Sequence, residues 1–124
     1  DEIYLLLRDQ LSAQFLYTSW KRFRKYNAYA TGITQNVQDC LTNDTAYAML
    51  ANSEFVCMLR QTKDIDSVVE LYGLSDPQKN YLKLAKPGQG ILKMGNNLIP
   101  FVNDHPTNTK IYRLLTTKPG EMEN

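Results

Sequence analysis

The stretch A-Y-A-T-G-I-T-Q-N, residues 28–36, decides the fold class that the sequence predicts. Residues 28–34 are uncharged and partly β-branched, a composition typical of a strand buried inside a sheet. Asn36 can cap a helix that begins directly after it. Ligands of open α/β sheets bind beyond the carboxyl ends of the strands. Gln35 therefore stands where a polar functional residue is expected.

The segments on either side of this stretch continue an alternation of helix and strand. Residues 10–25 predict an amphipathic helix, because large apolar residues recur there at roughly 3.6-residue spacing. Residues 54–59 (E-F-V-C-M-L) predict a second buried strand. Alternation of this kind favours a parallel sheet with helices on its faces.

Short helices are predicted between and after the two strands. Asn43 or Asp44 can cap one that runs through residue 50. Asp64 can cap another, which Gly73 would end. The capping-box signature S-D-P-Q at 75–78 opens a third, which reaches about residue 84.

The character of the chain changes at Gly88. Two strands are predicted on either side of a turn at residues 95–97 (G-N-N), and residues 110–116 predict a third. The tail, residues 117–124, has nothing to bury and is expected to fray. The fold class is therefore α/β, with an α/β segment over 1–87 and an antiparallel β-meander over 88–116.

The composition excludes several classes of protein. A net charge of +1 on 124 residues creates no field that would recruit nucleic acid or an anionic membrane. No apolar run approaches the ~20 residues of a membrane helix, and no leader with a charged and then an apolar region is visible. Cys40 and Cys57 lack metal-ligand spacing, so two free, buried thiols in a reducing cytosol are expected.

Several candidate functional motifs have a plainer explanation. His105, the single histidine, precedes Pro106 in a polar loop and is expected to be a surface turn residue. Cys57 has no base near it in sequence. Gly90 and Gly95 have the spacing of a phosphate loop, but Asn residues follow where that loop requires Lys and then Ser or Thr. We therefore interpret residues 90–95 as part of a hairpin.

The basic run K-R-F-R-K, residues 21–25, could contact phosphate groups. A solvated helix end is the alternative, since cations suit the negative end of the helix dipole. Arginine is the more informative residue type here, because its planar fork clamps phosphate oxygens and keeps its charge.

Six segments, taken in order, resemble the C-terminal portion of the conjugative-transfer ATPases of type IV secretion systems. They are D-E-I-Y-L-L-L (1–7), W-K-R-F-R-K-Y (20–26), T-G-I-T-Q-N-V-Q-D-C-L (31–41), A-N-S-E-F-V (51–56), I-P-F-V-N (99–103) and L-L-T-T-K-P-G-E (114–121). The resemblance is to the form found on Gram-positive mobile elements such as conjugative transposons, in the FtsK–HerA-like branch of RecA-fold P-loop ATPases. It implies that residues 1–87 form the RecA-like part from the Walker B motif onward.

The resemblance implies roles for particular residues. Asp1 and Glu2 match the acidic pair that ends the Walker B strand, where Asp1 would hold Mg²⁺ through water and Glu2 would polarise the attacking water. Gln35 matches the glutamine that senses the γ-phosphate of ATP. Arg22 or Arg24 matches the position of an arginine finger that reaches a neighbouring subunit's nucleotide, and Arg60 is a third candidate.

The 124 residues contain no G-x-x-x-x-G-K-[ST] phosphate loop. We therefore expect a fragment of a longer ATPase, inactive alone and with no ATP or Mg²⁺ of its own. The parent is expected to be a cytoplasmic ring oligomer at the inner face of the membrane, coupled to other type IV secretion components. The alternatives are a non-catalytic module that docks to channel components and, less favoured, single-stranded DNA binding through residues 21–25.

Overall fold

The computed structural model describes residues 2–35 and 37–117, without the side chain of Asp39. The first half of the chain is helical. Its helices are α1 (Tyr4–Leu7), α2 (Gln10–Phe23), α3 (Val37–Leu41) and α4 (Asp44–Ala51), and a 3₁₀ turn (Arg24–Tyr26) extends α2. The helix predicted over residues 10–25 is thus confirmed, as is the cap at Asn43.

Local hydrogen bonds explain where α2 begins and ends. The Asp9 carboxylate accepts a hydrogen bond from the backbone N–H of Ser12 at 2.8 Å. That bond holds the pKa of Asp9 below its usual range. At the other end, Asn27 adopts a left-handed backbone with φ of +50° and stops the 3₁₀ turn.

Residues 28–34, predicted to be a buried strand, form no strand in the structure. Tyr29 is 95% exposed and Ile33 is 54% exposed. The segment is tied to its surroundings where Ala28 N–H donates to the Phe23 carbonyl and Ile3 N–H donates to the Ile33 carbonyl, both at 3.0 Å. A buried strand requires a neighbouring strand, and none of the described strands pairs with this segment. The strand prediction is therefore wrong for the chain by itself.

The sheet lies between residues 55 and 102 and is antiparallel throughout the described residues. It has the order β1-β2-β3, with β1 (Phe55–Met58), β2 (Gln89–Met94) and β3 (Asn97–Val102). The hairpin between β2 and β3 turns at Gly95, where φ is +56°. The predicted hairpin is confirmed, whereas no parallel pair of strands occurs among the described residues.

Helices α5 (Ile65–Tyr72) and α6 (Asp76–Leu84) cover one face of this sheet. Gly73 ends α5 with φ of +66°, as predicted, and its N–H donates to the Val69 carbonyl. Gln78 Oε1 accepts from the backbone N–H of Ser75 at 2.9 Å, so the signature at 75–78 does open α6. An ion pair from Lys79 to Asp66 joins the two helices and lowers the pKa of Asp66.

Three predictions about this half are wrong. Residues 110–116 form a helix, α7 (Lys110–Leu115), because the Thr109 hydroxyl caps it by accepting from Tyr112 N–H at 3.3 Å. Asp64 makes no side-chain cap and has φ of +53°. The strand at 54–59 is only partly buried, since Phe55 is 64% exposed. Residues 118–124 of the expected frayed tail lie outside the described residues.

Two apolar clusters hold the fold together. One packs the covered face of the sheet against α5 and α6 around Leu82 and Ile91, which have no exposed surface. The other joins α1, α2, α3 and α4. Tyr72 packs against the first cluster, and burial, and then the nearness of Cys40, raise its pKa to about 12. Both cysteines are free, but only Cys40 is buried, contrary to the expectation for Cys57.

Asn43→Ala is expected to lower the free energy of unfolding by about 1.5 kcal/mol. The Asn43 side chain accepts from the backbone N–H groups of Thr45 and Ala46 and donates to the Leu7 carbonyl at 3.0 Å. The substitution removes the cap of α4 and its link to α1 together. Urea unfolding followed by circular dichroism measures the loss. Asn80→Ala, at an exposed site on α6, is the control and should change stability by less than about 0.5 kcal/mol; equal losses would contradict the capping role.

Candidate functional site

The two segments that carry the predicted catalytic residues meet through one backbone hydrogen bond. Ile3 N–H donates to the Ile33 carbonyl at 3.0 Å. Glu2 lies one residue before this bond and Gln35 lies two residues after it. Segments that are thirty residues apart in sequence therefore come together, as the acidic pair and the nucleotide-sensing glutamine of an ATP site would have to.

Glu2 has an uncommon backbone conformation. Its φ is +51°, in the left-handed region that residues other than glycine rarely adopt. Such conformations cost about 1 kcal/mol or more and persist only where the surroundings enforce them. The residue is half-buried, whereas Gln35 is exposed.

Asp1 and Asn36 lie outside the described residues, so the structure reports neither the predicted magnesium ligand nor the predicted helix cap. Among the described residues, no group of three or more His, Cys, Asp or Glu side chains could enclose a metal ion. Mg²⁺ bound with a nucleotide needs only one or two carboxylates besides phosphates and water. Glu2 and Gln35 place a carboxylate and an amide on the two segments that the Ile3–Ile33 bond joins. The phosphate cradle has no counterpart in the sequence.

The candidate arginines lie at the surface. Arg22 is in the last turn of α2, Arg24 begins the 3₁₀ turn and Arg60 follows β1, and all three are exposed. Beside them, the Lys21 ammonium lies 4.1 Å from the centroid of the Tyr17 ring. Exposed guanidinium groups are open to a partner molecule, but the structure does not single out one of the three.

The remaining motifs are structural. Gly90 lies inside β2 and Gly95 in the hairpin turn, so residues 90–95 are part of a hairpin and not a phosphate loop. His105 lies in the exposed loop before α7, where its ring stacks on that of Tyr112 with the centroids 6.2 Å apart. Cys57 lies on the uncovered face of the sheet and is exposed.

The residues that pack against Ile3 were not predicted from the sequence. The Ile3 side chain contacts the position of Gly32 and packs in the cluster that contains Trp20. A glycine inside a strand-like segment often marks a close approach of other atoms, and that signal was present in T-G-I-T. These contacts connect α1, α2 and the segment that leads to Gln35.

Comparisons with known proteins support the resemblance found in the sequence. Neither a family model nor a curated protein matches the chain. A solved structure, described as "Structure of VirB4 of Thermoanaerobacter pseudethanolicus", is similar with a TM-score of 0.79 and 29% sequence identity. The similarity covers 86% of this chain and 30% of that one, so this chain spans about a third of the length of its structural neighbour.

The chain is therefore similar in structure to part of VirB4 over most of its own length. Within the part of the chain that the structure describes, no helix is both long and apolar enough to span a bilayer.

Proposed function

We propose that the chain is the C-terminal part of a type IV secretion ATPase and supplies one side of its ATP site. The observation that carries the proposal is the structural similarity to VirB4 over 86% of the chain. The hydrogen bond between Ile3 and Ile33 adds to it, because it brings together the two segments whose motifs resemble the family's catalytic residues.

The edges of the sheet support a larger sheet in the complete protein. β3 carries Pro100, which lacks an N–H and is the kind of residue that blunts a true edge strand. β1, at the other edge, reads F-V-C-M and has neither proline nor charge. An unprotected apolar edge favours pairing with a further strand. We infer that β1 and residues 28–34 both pair with strands from outside this chain, in a RecA-like parallel arrangement.

The exposed surface area of the chain also supports burial against further protein. A folded monomer of 14.3 kDa exposes about 6,800 Å². This chain exposes 9524 Å², and large apolar side chains such as Leu11, Phe15 and Tyr29 are prominent on that surface. The difference between these two exposed areas is larger than the roughly 800 Å² that each partner buries in a standard interface. The chain therefore offers a surface suited to burial against more protein.

The proposed chemistry is phosphoryl transfer to water. ATP with Mg²⁺ would supply the reacting phosphate and the cation that neutralises its charge. Glu2 accepts a hydrogen bond from the attacking water and polarises it, while the Gln35 amide orients that water and contacts the γ-phosphate. Asp1 would hold Mg²⁺ through water. An arginine, Arg22 or Arg24, would approach a neighbouring subunit's nucleotide.

The same proposal places the chain in a ring-shaped oligomer of the FtsK–HerA-like branch, as found on Gram-positive mobile elements. Hydrolysis would drive DNA or protein transfer, or assembly of the channel, with other type IV secretion components as partners. The complete protein would work in the cytoplasm, at the inner face of the cell membrane. The sequence resemblance supports this setting, and the VirB4 neighbour supports its type IV secretion context.

The 124-residue chain by itself is expected not to hydrolyse ATP above the rate of a protein-free control, because nothing in it cradles the phosphates. A coupled assay of phosphate release, with Mg²⁺ and ATP, measures the rate. Turnover that disappears in Glu2→Gln would contradict this expectation. The complete gene product should in addition carry a G-x-x-x-x-G-K-[ST] motif before Asp1. A gene product without that motif would favour the alternative of a non-catalytic docking module.

A further inference from the structure

The face of the sheet that points away from α5 and α6, called the uncovered face here, is apolar across all three strands. Side chains alternate between the two faces along a strand, and residues paired directly across strands share a face. The strand registers therefore place six apolar residues on the uncovered face: Phe55, Cys57, Leu92, Met94, Ile99 and Phe101. Phe55 is 64%, Ile99 47% and Met94 40% exposed, so the described elements leave this face open.

The charge of the sheet lies on the opposite face. Lys93 is the single charged residue of the three described strands, and it lies on the face that α5 and α6 cover. Its ammonium donates to the Ser53 carbonyl at 3.1 Å and lies 5.9 Å from the centroid of the Tyr72 ring. An antiparallel sheet with one face in water normally turns polar residues toward that water. This sheet does not, so its composition suits burial on both faces.

The helices that adjoin the sheet lie on its covered side. α5 and α6 pack there directly, and Val37 at the start of α3 packs against the same cluster. The Ser67 hydroxyl of α5 also donates to the Gln38 side chain of α3 at 3.3 Å. A sheet that is apolar on both faces has helices on both faces in α/β proteins. The described residues supply one of the two helical layers that such a sheet needs.

The size of the uncovered face argues against a separate molecule as its occupant. Three strands of up to six residues span roughly 15 by 20 Å, an area of about 300 Å². A standard interface between separate proteins buries about 800 Å² on each partner. A helix about 10 Å wide covers a length of 20 Å with about 13 residues. The uncovered face therefore matches one or two helices, which cover it at the least entropic cost when they belong to the same polypeptide.

We propose that the uncovered face is covered by one or two amphipathic helices from the part of the complete protein that lies outside residues 1–124. The inference rests on the proposed function, which makes this chain one part of a longer ATPase. The solved VirB4 structure matches this chain over 30% of its own length, so a protein of that size has further chain to supply such helices. The covering helices present an uncharged apolar stripe to the sheet. Phe55 and Ile99, the most exposed of the six by their printed fractions, lose the most accessible surface.

A photoreactive residue at position 55 identifies the occupant. In the complete gene product, Phe55→p-benzoylphenylalanine keeps an aromatic ring on the uncovered face and crosslinks to whatever lies on it. Mass spectrometry is expected to find the crosslink within one polypeptide, on a peptide outside residues 1–124. The same residue in place of Leu84, which is exposed on α6, is the control and should not crosslink to that peptide. Crosslinked dimers, crosslinks within residues 1–124, or no crosslink at all would overturn the proposal.

The reactivity of Cys57 tests the same face without a substitution. In the folded complete gene product, Cys57 is expected to react with iodoacetamide at least about a hundredfold more slowly than in the urea-unfolded protein, because the covering helices exclude the reagent. Buried Cys40 is the internal reference, and peptide mass spectrometry follows each thiol separately. A Cys57 rate within about threefold of the unfolded rate would show an open face and overturn the proposal.

The rate of ATP hydrolysis by the same unsubstituted protein separates this proposal from the proposed function. Hydrolysis that Glu2→Gln abolishes, combined with a fully reactive Cys57, would overturn the covered face and leave the proposed function standing. A crosslink to a peptide outside residues 1–124 in a protein that does not hydrolyse ATP would overturn the proposed function and support the covered face.

Discussion

Gly90→Ala is expected to lower the free energy of unfolding by about 3 kcal/mol or more. Gly90 is buried in the middle strand of the sheet, and a Cβ there would collide with the Met58 carbonyl oxygen and lie 2.9 Å from the Phe101 ring. The carbonyl belongs to the neighbouring strand and cannot rotate away as a side chain could. Relief of the collision therefore requires the pairing of β1 with β2 to open, which the rest of the sheet opposes.

Denaturant unfolding, followed by far-ultraviolet circular dichroism, measures this loss, and Gly73→Ala is the matched control. Gly73 has a left-handed backbone, but no atom lies within 4 Å of a Cβ at that position. Its substitution should cost only the conformational penalty of about 1 kcal/mol. Equal losses of stability in the two variants would contradict the close approach of β1 to β2 at Gly90.

The elements that sequence predicted well are those specified by local interactions. The helix at residues 10–25 follows from apolar periodicity, and the hairpin at Gly95 follows from a turn residue that tolerates positive φ. Asn43 was one of two proposed caps, and its side chain accepts both N–H groups that a cap should accept. Each of these features depends on neighbours within a few residues.

The strand predicted at residues 28–34 failed for a non-local reason. A composition suited to a buried strand forms one only when other strands pair with it, and the described residues supply none. Tyr29 and Ile33 remain exposed as a result. The error therefore carries information, because it identifies a segment whose side chains suit an environment that this chain does not itself provide.

At residues 110–116, the residue types favour a strand, but a helix cap precedes them and the segment is a helix. Its residues include Ile111, Tyr112 and Thr116 and suit a strand, but Thr109 provides a helix cap and the Tyr112 ring stacks on His105. A cap of this kind was visible in the sequence as a threonine before an apolar run. The stacking partner, seven residues away across a loop, was not.

Some features of the candidate site were likewise predictable from the sequence, and others were not. The motif resemblance identified Glu2 and Gln35, and the structure brings their segments together through Ile3 and Ile33. Sequence alone could not reveal that Gly32 accommodates the Ile3 side chain, because that contact depends on the path of the chain between α2 and α3. The choice among Arg22, Arg24 and Arg60 depends on a neighbouring subunit and stays a prediction.

Gln35→Ala in the complete gene product is expected to lower kcat for ATP hydrolysis by about a hundredfold, the scale of a positioned group that assists proton transfer or orients water. Gln14→Ala is the matched control, because Gln14 lies exposed in the middle of α2 and has no role in the proposed site. A control variant that loses as much activity as Gln35→Ala would remove the support for a nucleotide-sensing role.

The carboxylate of Glu2 is proposed to activate water for ATP hydrolysis, and Glu2→Gln removes its charge with almost no change in shape. Loss of the charge should lower kcat by about a thousandfold, because water polarisation and charge stabilisation are removed together. The KM for ATP should change little, since the expected phosphate loop and Mg²⁺ of the complete protein would hold the nucleotide. Glu70→Gln, at an exposed site on α5, makes the same chemical change away from the site.

The decisive measurement is the steady-state rate of phosphate release by the complete gene product, compared among the unsubstituted protein, Glu2→Gln and Glu70→Gln at saturating Mg²⁺–ATP. We expect Glu2→Gln to fall to about a thousandth of the unsubstituted rate while Glu70→Gln stays within about twofold of it. A Glu2→Gln variant that hydrolyses ATP as fast as Glu70→Gln would show that the Glu2 carboxylate does not activate water.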